Sequence, residues 1–307
     1  MAQKIILDTD IGDDIDDALA LGLVLGCPEL ELVGVTTVFA NVVARSRQAR
    51  TVLKVAGEKF ARIPVCAGCG GSMASRPIHN IKAYLEDHLP NQDSTCLPES
   101  ELHPADKRHG VDFLLEMLAP GDVIPVTIGA MTNLAAAFVK DWRITQRIPK
   151  IVCMAAEFRR PMAEWNIKCD PEAAHLLFSS GIPMDVIPFE IGIQASFVEA
   201  DLARLRRSNR PLAQRLWLTI DAWQSANSGT GTRPKPMPNL YDPMAIATMV
   251  DPELCTWKQG LISVELQGHE TYGYTTFSEM SDGPHRVAWD VNRDKAIGFW
   301  FDRVERV

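Results

Sequence analysis

Between Lys4 and Leu21 the chain reads KIILDTDIGDDIDDALAL, with six aspartates (Asp8, Asp10, Asp13, Asp14, Asp16, Asp17) between a short apolar run and an apolar-periodic segment. Crowded carboxylates repel one another and raise their own pKa values unless a positive charge neutralises them. A hard divalent cation with oxygen ligands does this most directly, so the stretch reads as a metal site. Asp16 and Asp17 alone would be accounted for by a helix N-terminus, whose dipole favours anions by about 0.3–1 kcal/mol each. That leaves the other aspartates unexplained. An EF-hand loop counted from Asp8 needs Gly sixth and Glu twelfth, where this chain has Asp13 and Leu19. The dinucleotide pattern G-x-G-x-x-G does not occur at this turn either.

The elements around these acids indicate how they are displayed. Ile5, Ile6 and Leu7 suit a buried strand, and Ala18, Leu19, Leu21 and Val24 fall at helical spacing, which puts the aspartates on a strand-to-helix turn. Leu30 to Val38 is a β-branched run suited to a parallel strand covered on both faces, followed by a helix from about Asn41 to Gly57 and a short strand at Ile63 to Cys66. A Gly-, Pro- and His-rich segment, Ala67 to Arg108, shows little periodicity and is a candidate lid. Helix and strand then alternate: Val111–Leu118, Val123–Ile128, Asn133–Val139, Ile151–Ala155, Pro171–Ser179 and Met184–Pro188. Two helices (Val198–Arg207, Leu212–Ala226), a Gly/Pro-rich loop (Ser228–Pro238) and a helix opening at Asp242-Pro243 follow. Strands near Leu261–Leu266, Tyr272–Phe277 and Val287–Val291 and a last amphipathic helix close the chain. The expected fold is α/β: a single domain, residues 1–307, with an open, mostly parallel, Rossmann-like sheet flanked by helices and a small β-hairpin region near the C-terminus. In such sheets, ligands bind beyond the carboxyl ends of the strands.

Composition narrows the function. The chain has 307 residues, 23% of them charged, and a net charge of −8, with no basic cluster larger than Arg204, Arg206 and Arg207. Nucleic acid and anionic membranes are therefore not expected partners, whereas a neutral or cationic small molecule is. There is no signal-peptide pattern and no apolar run near the ~20 residues that span a bilayer, so a cytoplasmic location is expected. Seven cysteines, an odd number, point to reduced thiols. Cys66 and Cys69 form a C-x-x-C; lacking a second pair or a His doublet, it reads as a strand-end loop rather than a zinc or redox site.

Polar groups also follow the other expected strands: Asn41; Ile128-Gly129-Ala130-Met131-Thr132-Asn133; Ala163-Glu164-Trp165-Asn166 with Asp170-Pro171-Glu172; and Leu240-Tyr241-Asp242-Pro243. Together with DTDIGDDIDDALAL, this order resembles the inosine-uridine nucleoside hydrolase family, whose pattern runs from an aspartate-rich loop through GPLTN, AEFN and DPEAA to HDP. The resemblance covers most of the chain. It implies Ca2+ held by Asp10, Asp17, the Ile128 carbonyl and Asp242, with Asp10 as the general base on a metal-activated water and a ribonucleoside split into ribose and base. It further implies that Asp16, Asn41, Glu164 and Asn166 hold ribose hydroxyls, that His109 lies near the pocket, and that the protein is a homodimer or homotetramer.

Asn41 fits a helix N-cap as well as a ribose contact; the resemblance favours the contact. Trp223, at helical spacing, fits core packing better than stacking on a base. The sequence departs from the family pattern in three places. Asp13 and Asp14 are two residues more than the pattern has before Ile15-Asp16-Asp17-Ala18, which leaves open whether they join the metal site. Tyr241 stands where pyrimidine-active members carry the His of HDP, and a phenol of reference pKa ~10 is the poorer acid for a leaving base. Met154-Ala155-Ala156 and Phe158 replace an MGG and an Asn, so one hydroxyl contact is expected to be lost. Phe158 and Tyr241 join Trp223 as candidates to stack on the base. His79, His88 and His103 carry no role at this stage. Two rivals follow: a ribose- or nucleoside-binding protein that lost the chemistry, and a haloacid-dehalogenase-type phosphatase, which also opens with a strand and D-x-D and would make Asp8 its nucleophile. Release of reducing sugar separates an enzyme from a binder.

Overall fold

Ile5, Ile6 and Leu7 are fully buried, and their side chains alternate between two cores, Ile5 and Leu7 to one side and Ile6 to the other. A strand apolar on both faces must be covered on both, which is the condition of an inner parallel strand. In the computed structural model, which describes residues 2–74, 88–228 and 235–307, this strand, β1 (Gln3–Thr9), lies inside a nine-stranded sheet. It is followed by α1 (Asp16–Leu25), β2 (Leu30–Thr37), α2 (Val42–Ala56), α3 (Glu58–Ala61) and β3 (Val65–Ala67). Next come α4 (Gly110–Leu118), β4 (Val123–Thr127), α5 (Thr132–Lys140), β5 (Ile151–Met154), α6 (Trp165–Cys169), α7 (Pro171–Phe178) and β6 (Met184–Ile187). The chain ends with α8 (Phe189–Gln194), α9 (Glu199–Arg207), α10 (Pro211–Asn227), α11 (Tyr241–Val250), β7 (Cys255–Val264), β8 (Thr275–Glu279), β9 (His285–Val291) and α12 (Arg293–Val304).

The strand order is β3-β2-β1-β4-β5-β6-β9-β7-β8. All pairs from β3 to β9 are parallel, and β7 runs antiparallel to both β9 and β8. The chain leaves β1 toward β2 and β3, then returns to the other side of β1 to lay down β4, β5 and β6. The carboxyl ends of β1 and β4 thus form the switch point at which a crevice opens. Helices α1, α2 and α9 to α12 fill one core, α4, α5 and α7 the other.

The expected α/β architecture is present, with its differences at the ends of elements. The C-terminal hairpin is not set apart: β9 pairs in parallel with β6 and carries β7 and β8 on as part of the same sheet. Strand β7 begins at Cys255, six residues before the expected start, because the register with β9 draws in Trp257-Lys258-Gln259, whose polarity hides a strand. Helices α3, α6 and α8 were not expected, since four to six residues give no readable 3.6 period. Helix α11 starts at Tyr241, so Asp242 lies in its first turn instead of capping it. The middle of the candidate lid, with His79, and residues 229–234 of the later loop lie outside the described residues. No helix among the described residues is long and apolar enough to cross a membrane.

The closing helix is tied to the acid-bearing helix by one side chain. Trp300 is 1% exposed, donates its indole N–H to the Leu19 carbonyl at 3.1 Å, and packs edge-on against Phe197 and Phe301 at 5.1 Å each. Trp300→Ala is expected to cost about 3–5 kcal/mol by leaving a cavity, read as a lower denaturant midpoint at unchanged slope. A loss below ~1 kcal/mol would show that α12 is not a pillar of this core.

Candidate active site

The floor of the crevice is built by backbone closing across three strand ends. Ile128 N–H donates to the Asp8 carbonyl at 2.8 Å, and Val38 N–H donates to the Thr9 carbonyl at 3.0 Å. Asp10 then emerges beside Gly129, where a Cβ would come within 2.8 Å of the Asp10 nitrogen and 2.9 Å of its Oδ1. Only glycine lets the β4 turn approach the acid so closely. Beneath this floor Asp8 is 2% exposed; its Oδ1 accepts from Thr36 Oγ1 (2.7 Å) and Asn133 Nδ2 (2.8 Å), and burial pushes its pKa up to about 7. Asn133 also donates to the Thr37 carbonyl (3.0 Å) and accepts from Cys69 N–H (2.7 Å), so it locks β1, β2 and the turn after β3 together. A carboxylate sealed and engaged in this way is out of reach of a phosphate, which removes Asp8 as the nucleophile of a phosphatase.

Above the floor, Asp16 and Asp17 stand on the first turn of α1 and Asp242 on the first turn of α11, two helices packed against each other. One carboxylate oxygen of each lies within 4.8 Å of the others. Thr9 Oγ1 donates to Asp17 Oδ1. Burial first, and then the neighbouring acids, hold the carboxyls of Asp16, Asp17 and Asp242 well above the usual range, and burial pushes Asp10 up to about 6 against the pull of Arg45. Among the described residues no Lys or Arg forms an ion pair with Asp10, Asp16, Asp17 or Asp242. At ~5 Å and an effective dielectric near 20, each like-charged pair costs about 3 kcal/mol. Several such pairs rival a whole domain's net stability of ~5–15 kcal/mol, so the acids must either be protonated or share a cation. Their hard oxygen donors, drawn from two helices and adjoining strand ends, fit a divalent metal ion. The trio that converges includes Asp16, expected on the ribose; Asp10 lines the same cavity but is not one of the three.

The cavity measures about 280 Å³ and is lined by Asp10, Asp13, Asp14, Asp16, Asp17, Ile128, Glu164, Asn166, Trp223, Tyr241 and Asp242, with Asn91, Met154, Trp165, Phe189 and Asn227 completing the wall. Glu164 caps α6, accepting from the N–H groups of Asn166 (2.9 Å), Ile167 (3.2 Å) and Ala156 (3.3 Å), and burial pushes its pKa up to about 7. Asn166 donates from Nδ2 to the carbonyls of Ile128 and Met154, both at 3.1 Å, so the β4 and β5 ends are stitched together at the cavity wall. Tyr241 stacks on Phe189 with ring centroids 4.8 Å apart and 14° between planes, and its hydroxyl accepts from Asn239 Nδ2 at 3.0 Å. Burial raises the Tyr241 phenol further above its ordinary value.

Three expected residues lie apart from the cavity wall. The Asn41 side chain accepts from Ala44 N–H (3.1 Å) as the N-cap of α2. His109 accepts from Val111 N–H (3.3 Å) through Nδ1 as the N-cap of α4. Phe158 packs on Phe277 in the second core, 5.7 Å between centroids. All seven cysteines are free, and burial pushes the Cys66 and Cys69 thiols up to about 12 and about 11, far from the thiolate state a metal or redox role requires.

Sequence reasoning missed Arg45, Asn91 and Phe189. Arg45 is 1% exposed and donates to the carbonyls of Phe39 (2.7 Å), Asp10 and Ile11 (3.1 Å) and to Asp13 Oδ2 (2.8 Å), so one buried guanidinium holds the acid loop from behind. A signal was present: Arg45, Ala49 and Val52 fall at helical spacing on the buried face of α2. Asn91 and Phe189 gave none, since they reach the cavity through a loop and a helix of six residues.

Compared with known proteins, residues 5–298 match the family model described as inosine-uridine preferring nucleoside hydrolase. The chain is 28% identical to an inosine-uridine preferring nucleoside hydrolase of Crithidia fasciculata over 100% of this chain and 99% of that one. It is 32% identical to a probable uridine nucleosidase of Arabidopsis thaliana, covering 98% and 97% of the two chains. Among solved structures it superposes on a purine-preferring ribonucleoside hydrolase from Gardnerella vaginalis with a TM-score of 0.84 at 28% identity, over 99% of this chain and 98% of that one.

If the acids share a cation, adding Ca2+ to the chelator-treated protein raises its melting temperature, a specific ion stabilising by RT ln(1 + [L]/Kd). Asp17→Asn or Asp242→Asn is expected to abolish most of that shift while leaving the metal-free protein no less stable, because each removes repulsion. An unchanged shift in both variants, followed by differential scanning fluorimetry, would place the ion elsewhere.

Proposed function

The chain belongs to the inosine-uridine preferring nucleoside hydrolase family and is an N-glycosidase acting on ribonucleosides, and from that membership and the cavity we propose Ca2+-dependent hydrolysis with Asp10 as general base. The observation that carries the proposal is the meeting of Asp10, Asp16, Asp17, Asp242 and Ile128 in one cavity at the sheet's switch point. Asp10, Asp17, the Ile128 carbonyl and Asp242 would hold the ion, with Asp16 within reach of it. When bound, calcium supplies Lewis acidity toward water and an anchor for vicinal hydroxyls.

The chain's own residues do the rest. Breaking an N-glycosidic bond builds oxocarbenium-like charge on the ribose, which a ring of carboxylates stabilises more in the transition state than in the ground state. Asp10, fixed by Gly129 and by Arg45 on its carbonyl, accepts the proton of the attacking water. Asp16, Glu164 and Asn166 accept or donate to ribose hydroxyls, so that orientation is settled at binding. Trp223 and the Tyr241–Phe189 pair border the part of the cavity left for the base, and Tyr241 meets it by stacking and hydrogen bonding. As an acid it is poor, because burial moves its proton further from release. We further propose a homodimer or homotetramer, as the family resemblance implies, and a cytoplasmic location, as the sequence pattern suggests.

Asp10→Ala is expected to lower kcat by about 10²- to 10⁴-fold or more with unchanged circular dichroism, measured by reducing-sugar release from inosine and uridine in calcium and in chelator. Wild-type-like turnover in the variant would refute the assignment. A wild-type protein that gains heat stability with nucleoside but releases no ribose would instead be a binder.

A further inference from the structure

The loop between β1 and α1 is longer than the family pattern by Asp13 and Asp14, and the structure shows what the first of these holds. Asp13 does not belong to the trio of converging acids. Its Oδ2 pairs with Arg45 Nη2 at 2.8 Å, and its Oδ1 accepts from Asn91 N–H at 3.1 Å and meets His88 Nε2 at 3.3 Å. Neighbouring bonds reinforce the same junction: Gln92 N–H donates to the Gly12 carbonyl at 2.9 Å, and Gln92 Nε2 donates to the Asp14 carbonyl. Gly12, at φ +128°, has Pro90 Cβ only 2.6 Å from where its own Cβ would stand, so Pro90 lies flush against the loop. A buried guanidinium needs an anion in the low dielectric around it, and Asp13 supplies one while its second oxygen reaches out to a different segment.

We propose that Asp13 is a positioning residue for the hydrolysis: anchored on Arg45, it latches segment 88–92 to the acid loop so that the Asn91 side chain forms part of the substrate-binding wall. Asn91 lines the cavity, and its amide can both donate to and accept from a nucleoside. The latch rests on the nucleoside hydrolase reading for its effect on catalysis but not for its existence. Asp13 also borders the cavity, but its two oxygens are engaged by Arg45 and by segment 88–92, so its effect runs through Asn91 and the two residues make one contribution rather than two.

The test combines amide exchange, kinetics and calorimetry on the full chain. In Asp13→Ala, exchange across residues 88–92 is expected to accelerate at least about tenfold while the core strands stay protected. With inosine or uridine, Asp13→Ala and Asn91→Ala should each raise KM about tenfold with kcat within about threefold, and the double variant should lose no more than either alone. Asp13→Glu keeps both an anion for Arg45 and an acceptor for the Asn91 amide and should recover most of the wild-type KM, which also guards against misfolding of the alanine variant. The calcium dissociation constant should stay within about twofold of wild type in all of them. Unchanged exchange at 88–92, an unchanged KM, or a calcium affinity that falls with Asp13 would each overturn the proposal, the last by making Asp13 a metal ligand. If the wild-type protein cleaves no nucleoside, the functional reading fails separately, and the exchange measurement still decides whether the latch exists.

Discussion

The carboxylates of Asp10, Asp16, Asp17 and Asp242 are drawn together out of water, and their mutual repulsion would expel them if the surrounding backbone did not hold them there. Each is carried by an element that has other reasons to be in place: β1 by its place between two covered strands, α1 and α11 by the apolar faces they bury against each other. The repulsion is thus set against core packing, which pays for it. Arg45 relieves only part of it, because its guanidinium hydrogens go mainly to backbone carbonyls of the loop and to Asp13. What remains is a nest of oxygen donors whose natural complement is a small cation.

The layers of the fold were legible because they follow from hydrophobic period alone. Ile5 to Leu7, Val123 to Ile128 and Ile151 to Ala155 are apolar on both faces, and the helices between them are long enough to show a stripe. Asp10 and Ile128 follow β1 and β4 directly, and a parallel sheet places such carboxyl ends along one edge; Glu164 and Asn166 reach the same cavity from the start of α6. Asn41 and His109 show the limit of that logic. Asn41 follows β2 and His109 rests on the resemblance alone, yet each is taken up by the N-terminus of the next helix, where orphan N–H groups draw in the nearest acceptor. Arg45 shows the opposite limit: its spacing with Ala49 and Val52 sets it on the buried face of α2, but a charge there is read as solvated until its partner in a distant loop is seen.

The side wall of the cavity obeys different rules from the floor. The floor is made of backbone contacts and short polar bridges, Asn133 to Asp8 and Asn166 to Ile128, which admit no other shape. The wall is made of side chains from α8, α10 and α11, and solved structures titled purine-preferring and inosine-uridine preferring share this fold. The fold therefore does not choose the base. In this chain the wall is nonetheless stiff: Tyr241 sits so close to Gly192 that any Cβ there would overlap its ring, Phe189 covers the ring, and the Arg160 guanidinium lies 4.5 Å from the centre of Phe189. Arg160 is in turn fixed on the buried Glu157, whose backbone N–H and carbonyl both bond to Thr275 on β8. A run of contacts thus joins the antiparallel edge of the sheet to the Tyr241 ring in the cavity wall. Stiffness of that kind favours selection by shape over adaptation, because moving Tyr241 requires repacking Phe189, and with it a charged side chain whose partner is almost wholly buried.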